Sequence, residues 1–143
     1  MGISGNKMVD NNSIYYNDEH ILLRKTVREF AQNELAPLAI DIDTNGTFPS
    51  ESIKKLSELG LMGIPWDPEY GGGGMDLLSL IITIEELAKV CVSTAATLMA
   101  HTSLGTGPFS YFGTDEQKKK YLSKLATGEI IGSFGLTEPN AGS

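Results

Sequence analysis

The residues with the clearest chemical character lie at the end of the chain. Phe134-Gly135-Leu136-Thr137-Glu138-Pro139-Asn140-Ala141-Gly142-Ser143 begins apolar, passes through Thr-Glu-Pro and closes on Asn-Ala-Gly-Ser. This pattern predicts an extended segment that stops at proline and turns sharply at Asn140-Ala141-Gly142. Such a turn presents successive backbone N–H groups and two hydroxyls, those of Thr137 and Ser143. Donors arranged in this way can hold an anion or the polar edge of a planar ring. An ordinary strand-to-turn exit uses the same residues, and on chemistry alone it is the simpler reading.

Other chemically suggestive residues have plainer explanations. The run Gly71–Gly74 is not followed by Lys-Ser/Thr and no strand precedes it, so it is not a nucleotide-phosphate loop. It reads as a flexible connection. Glu85 and Glu86 are adjacent, and adjacent helical residues point about 100° apart. One is expected to face solvent and the other to pair with a base. His101 sits in an Ala/Met-rich stretch and reads as a satisfied core histidine. Cys91 reads as a small core residue, and Lys118–Lys120 as a solvated face. One cysteine and two histidines (His20, His101) exclude an internal disulfide and cannot close a zinc site from soft ligands alone. No metal site and no catalytic residue is assigned.

The elements that must position the terminal motif follow from periodicity. The chain has 143 residues, 41% of them hydrophobic, enough for one core. Its glycines avoid Lys7–Asn45 and Met75–Leu104, and a glycine costs about 1 kcal/mol inside a helix. Leu23, Val27, Phe30, Ala31, Leu35, Leu38 and Ile42 predict a helix over about 18–42, capped by Asp18 and bent near Pro37. A turn follows at Asn45-Gly46. Ser50 is expected to cap a second helix with a stripe of Ile53, Leu56 and Leu59, closed at Gly60. A loop over 61–75 is anchored by Trp66 and Tyr70. Asp76 caps a buried third helix running to about Cys91. A fourth segment, 93–112, is broken by Gly105, Gly107 and Pro108. Thr114 and Gln117 form a capping box for a fifth helix, whose stripe is Tyr121, Leu122 and Leu125, and Gly128 ends it. The fold class is all-α: a bundle of about five to six helices ending in a short extended segment. Residues 1–17 are expected to be a flexible tail and 18–143 the helical domain.

Eleven basic residues against eighteen acidic give a net charge of −7. That argues against a nucleic-acid or anionic-membrane surface. No stretch approaches the ~20 apolar residues of a spanning helix, and no secretory signal pattern is present. The composition suits a reducing compartment, and the expected localisation is cytoplasmic.

Four ordered motifs resemble the acyl-CoA dehydrogenase family over about residue 18 to the end. Gly135–Ser143 is similar to its flavin-contact signature, which normally continues into Asp. Leu59-Gly60-Leu61-Met62-Gly63-Ile64-Pro65, with Glu69-Tyr70-Gly71-Gly72, resembles its first inter-helix loop. Glu85-Glu86-Leu87-Ala88 resembles its buried helix. Phe112-Gly113-Thr114-Asp115-Glu116-Gln117-Lys118, with Tyr121-Leu122, resembles the helix before the signature. The wording of Ala100–Leu104 and Leu136–Asn140 is most similar to bacterial short-chain, butyryl-type members.

The resemblance implies an FAD enzyme that oxidises an acyl-CoA to its trans-2-enoyl form and passes electrons to an electron-transfer flavoprotein. It implies a homotetramer with a middle β-domain and a C-terminal helical domain that carries the catalytic base. By motif position, Phe134, Gly135, Leu136 and Thr137 lie along the flavin, and Ser143 meets both FAD and the CoA portion. Leu98, Met99 and Ala100 would close the end of the acyl pocket. At 143 residues the chain is expected to be a fragment, inactive alone, of such an enzyme. The alternative is a non-enzymatic helical interaction module.

Overall fold

The computed structural model describes residues 14–142, and within them the chain is helical with no sheet. The expected tail is only partly within this range. Residues 1–13 lie outside the described residues, whereas Tyr16 and Asn17 are attached to the helical body.

Helix α1 (Asp18–Phe30) is capped one residue earlier than expected. Asn17, not Asp18, is the N-cap. Its Oδ1 accepts the His20 N–H at 2.9 Å, and its own N–H donates to His20 Nδ1 at 3.2 Å. Because Nδ1 accepts, Nε2 carries the ring proton and donates to the Asp76 carboxylate, 3.0 Å from each oxygen. Asp76 is the expected cap of α4 (Leu77–Ala88), accepting the Ser79 N–H at 2.8 Å. One chain of hydrogen bonds thus joins the N-terminal ends of α1 and α4, and the Arg28–Glu86 pairing farther along shows that the two run in the same direction.

Proline is accommodated without ending a helix. A π turn (Ala31–Leu35) joins α1 to α2 (Ala36–Asn45), with Pro37 in the first turn of α2. A second π turn (Ala100–Thr106) joins α5 (Val92–Met99) to α6 (Gly107–Phe112), which holds Pro108. Proline cannot donate to the carbonyl four residues back and its ring crowds that carbonyl. A π turn widens the backbone just before it and relieves both problems. The expected break at Gly105, Gly107 and Pro108 is therefore a widened turn in a continuous helical run.

Helix α3 (Ser50–Glu58) also departs from expectation at its ends. Pro49 takes the cap position and Ser50 is the first helical residue, with no side-chain cap. Ile53 and Leu56 are buried as expected, but Leu59 is exposed. Gly60 follows in the left-handed conformation at φ 72°, which needs the absence of a Cβ. The following loop contains two 3₁₀ turns, Leu61–Gly63 and Pro68–Tyr70, with Trp66 buried between them. Beyond α6, α7 (Asp115–Gln117), a π turn (Lys118–Leu122) and α8 (Ser123–Ala126) make one short run. The Thr114–Gln117 capping box starts it, and Leu122 and Leu125 are buried beneath it.

One core cluster joins α1 through α5 and the loop after α3. Val27, Phe30 and Leu35 from the first run meet Leu80 and Leu87 of α4, Leu98 of α5, Leu56 of α3 and Met62 of the loop. Within this contact between α1 and α4 sits a carboxylate. The side chain of Glu86 is only 1% exposed. Arg28 grips it with two bonds, Nε to Oε2 at 2.9 Å and Nη2 to Oε1 at 3.0 Å. Lys89 Nζ donates to Oε1 at 2.8 Å, and Arg24 Nη1 lies 3.8 Å away. Glu85 stays half-exposed and pairs with Arg24 and Lys89. Of the two adjacent glutamates, Glu86 is the buried one.

Burial raises the Glu86 pKa, but the hydrogen bonds from Arg28 and Lys89 outweigh it and hold the carboxyl below its usual range. The folded-state value is therefore depressed. Its stabilisation is complete above the ordinary carboxylate range and is lost as pH falls through the folded value. Glu86→Ala removes the charge-assisted hydrogen bonds from half-exposed Arg28 and Lys89 and leaves buried Arg24 without this partner, and should cost about 1.5–3 kcal/mol. Urea denaturation at pH 7 measures that loss, and the variant should then lose less stability than the parent on acidification. The Asp76 carboxyl is lowered from 3.8 to about 2, chiefly by the His20 hydrogen bond and then by the Ser79 N–H. Its contribution should fade between those two values as pH falls. Asp76→Ala, which also loses the cap, should cost about 0.5–2 kcal/mol in the same assay. Asp76→Asn should cost less, because an amide oxygen still caps α4.

Candidate functional site

The terminal motif leaves the helical body at a well-defined point. Gly128, at φ 75°, ends the last helix, and the Ile130 N–H still donates to the Lys124 carbonyl at 3.2 Å. Gly132 is the last anchored residue before the motif. Its N–H donates to His101 Nδ1 at 2.9 Å. Its backbone also crosses that of Gly105 at contact. A Cβ on Gly105 would stand 2.6 Å from the Gly132 carbonyl carbon, and one on Gly132 would stand 2.9 Å from the Gly105 Cα. Only glycine at both positions permits this crossing.

Beyond Gly132 the chain is extended. Among the described residues, the backbone N–H groups of 133–137 have no hydrogen-bond partner. Phe134 is 55% exposed and Leu136 77% exposed, and Gly135 and Thr137 are exposed between them. The motif then reverses. The Glu138 N–H donates to the Ala141 carbonyl at 2.9 Å and the Ala141 N–H donates back at 3.1 Å. The corner is thus Pro139-Asn140, one residue earlier than the sequence suggests, since proline sets the φ that a turn's first corner needs. Gly142 folds back onto Thr137, where a Cβ would meet the Thr137 methyl at 2.7 Å. Ser143 lies outside the described residues.

These residues fit one edge of a flavin. A planar ring with polar atoms on its rim matches a stretch with free backbone donors, the Thr137 hydroxyl and two exposed apolar side chains. Phe134–Thr137 are thus residues that could line one edge of a bound FAD.

The three residues expected at the end of an acyl pocket lie elsewhere, around the junction of α5 and its π turn. Leu98 is fully buried in the core, Ala100 is half-buried and Met99 is 48% exposed. None of them lines a groove of about 530 Å³ formed by Leu22, Leu23, Leu59, Leu61 and Met75 among others. The motif residues do not line it either.

Sequence reasoning found His101 to be a core residue but missed what it touches. His101 is fully buried, with Nε2 3.0 Å from the Leu125 carbonyl and Nδ1 on Gly132. It also missed the Gly105–Gly132 crossing. No local signal links two glycines 27 positions apart.

Comparison with known proteins places the motif in context. The family described as Acyl-CoA dehydrogenase, N-terminal domain, matches residues 17–129. The chain is 56% identical over 124 residues to the short-chain specific acyl-CoA dehydrogenase of Clostridium acetobutylicum, covering 87% of this chain and 33% of that protein. Among solved structures, butyryl-CoA dehydrogenase from Megasphaera elsdenii superposes with a TM-score of 0.84 at 41% identity, over 91% of this chain and 35% of that one. An acyl-CoA dehydrogenase of Bacillus anthracis complexed with FAD superposes with a TM-score of 0.81 at 37% identity, over 90% of this chain and 22% of that one. The chain spans about a third of the length of the curated relatives it matches. With the helical architecture, the four ordered motifs and these matches in agreement, the chain belongs to the acyl-CoA dehydrogenase family and corresponds to its N-terminal domain.

Proposed function

We propose that this chain is the N-terminal part of an FAD-dependent dehydrogenase that converts a short acyl-CoA to its trans-2-enoyl-CoA. The observation that carries the proposal is the segment Phe134–Thr137. It leaves a folded helical body with its backbone donors unpartnered and its apolar side chains exposed. The FAD-bound Bacillus anthracis relative and the short-chain specific Clostridium relative support the cofactor and the substrate class.

The reaction removes a proton from Cα and a hydride from Cβ of the thioester. Bound FAD supplies the hydride acceptor. Thr137 donates from its hydroxyl and backbone N–H to the flavin's polar rim, where negative charge grows during transfer. Phe134 and Leu136 cover that rim and keep water from it. Ser143 binds the cofactor and the CoA portion of the substrate. The base that takes the α-proton comes from a C-terminal helical domain, and this chain alone is inactive. An electron-transfer flavoprotein reoxidises the enzyme, which assembles as a homotetramer.

The test is made on the natural protein that carries this sequence. It should purify with bound FAD, and butyryl-CoA should bleach the flavin absorbance; a colourless protein that binds no flavin would favour a helical interaction module instead. Thr137→Val should slow that bleaching by about tenfold in stopped-flow, a barrier change of about 1.4 kcal/mol. This is less than the ~2.7–4 kcal/mol of a lone oxyanion donor, because the backbone N–H of residue 137 remains.

The acyl-chain preference follows from the α5 junction. Leu98 is fully buried in the core, so a long acyl chain reaching this junction could not displace it without overpacking the side chains behind it. Each methylene that fits adds about 0.8 kcal/mol of binding, and the first that overlaps costs about 1–3 kcal/mol. Measured from C4 to C16 acyl-CoA, kcat/KM should peak at C4–C6 and fall steeply well before C12. An optimum at C12 or longer would show that this helix does not close the pocket.

A further inference from the structure

We infer that His101 is a positioning residue for the flavin-contact segment. Its ring sets where Gly132 sits, and so where and at what angle Phe134–Thr137 leaves the helical body. The inference rests on the reading of that segment as flavin-contacting.

The geometry leaves the ring no freedom. Nε2 faces the Leu125 carbonyl, which can only accept, and Nδ1 faces the Gly132 N–H, which can only donate. Both bonds are satisfied only by the neutral ring with its proton on Nε2. Burial also pushes the His101 pKa down, which favours that neutral form. The backbone beneath the ring is held as well, because the Thr106 hydroxyl donates to the His101 carbonyl at 2.8 Å. His101 therefore joins three pieces through one rigid plane: the π turn, the end of α8 and the start of the motif. The close backbone contact between Gly105 and Gly132 holds the same point. The five residues after Gly132 have no backbone N–H partner among the described residues, so Gly132 acts as their pivot.

The lever is long. An extended residue rises about 3.3 Å, which puts Thr137 about 16 Å along the chain from Gly132. A tilt of about 4° at the pivot moves Thr137 by about 1 Å, and misplacement of that size can cost about a hundredfold in rate. A histidine that merely filled core space would have no such consequence.

Two amide variants separate the ring's two roles. His101→Asn keeps an acceptor near the Nδ1 position and loses the reach to Leu125. His101→Gln keeps a donor near the Nε2 position and loses the acceptor for Gly132. In the natural holoprotein, hydrogen exchange read by mass spectrometry in peptides covering 130–137 should be at least tenfold faster in His101→Gln and close to the parent in His101→Asn. FAD dissociation, followed by flavin fluorescence, should likewise be about tenfold faster in the Gln variant only. The unsubstituted protein gives a measurement independent of any variant's folding: Gly132 should exchange much more slowly than Ser133. Equal exchange at those two amides, or identical behaviour of the Asn and Gln variants, overturns the inference. A parent protein that binds no flavin overturns the reading of the segment, while the exchange data still decide whether His101 holds it.

Discussion

A carboxylate closed off from water between two helices sets the terms for the rest of the fold. The charge of Glu86 is tolerable only because Arg28 and Lys89 bond to it directly and Arg24 lies close by. Two of those cations belong to α1 and one to the end of α4. The helices can therefore pack in only one register, since a shift of one turn would leave a buried charge without its partners. The hydrogen-bonded chain Asn17–His20–Asp76–Ser79 fixes the same two helices at their other end. With both ends pinned, Val27, Phe30 and Leu80 meet at fixed places, and α5, α3 and the loop assemble onto that face.

The two prolines inside helical runs show how the fold keeps its helices long. Each follows a π turn, so the helix passes over a residue that would otherwise end it. The second of these turns has a further consequence. It places Gly105 and His101 where they meet Gly132, at the start of the exposed motif. The adaptation that accommodates Pro108 is thus the same piece of backbone that holds the root of the exposed C-terminal motif.

That segment is unlike the rest of the domain. The helices also leave apolar side chains in solvent, Ile40 and Phe112 among them, but beside Phe134 and Leu136 the backbone donors are unpaired as well. Exposed backbone donors bond to water, and that water can be displaced by a ligand or a further chain that offers its own acceptors. The curated relatives are about three times as long as the span they share with this chain.

Much of this was legible in the residue order, and the rest was not. Local signals identified the helical windows, the Asp76 cap, the Thr114–Gln117 box, the stop at Gly128 and the terminal motif, because caps, glycine and periodicity act within one or two turns. The adjacency of Glu85 and Glu86 already required different environments for the two. What decided between them was Arg28, 58 residues away, brought close only by packing. In the same way Asn17 rather than Asp18 became the cap because His20 must also reach Asp76. Leu59 lies in solvent although its spacing matches the buried stripe, because the helix has already ended and the chain turns left-handed at Gly60. The tie between His101 and Gly132 is of the same kind. Short-range rules name the residues at each end, and only the tertiary structure sets which distant groups must satisfy one another's buried hydrogen bonds.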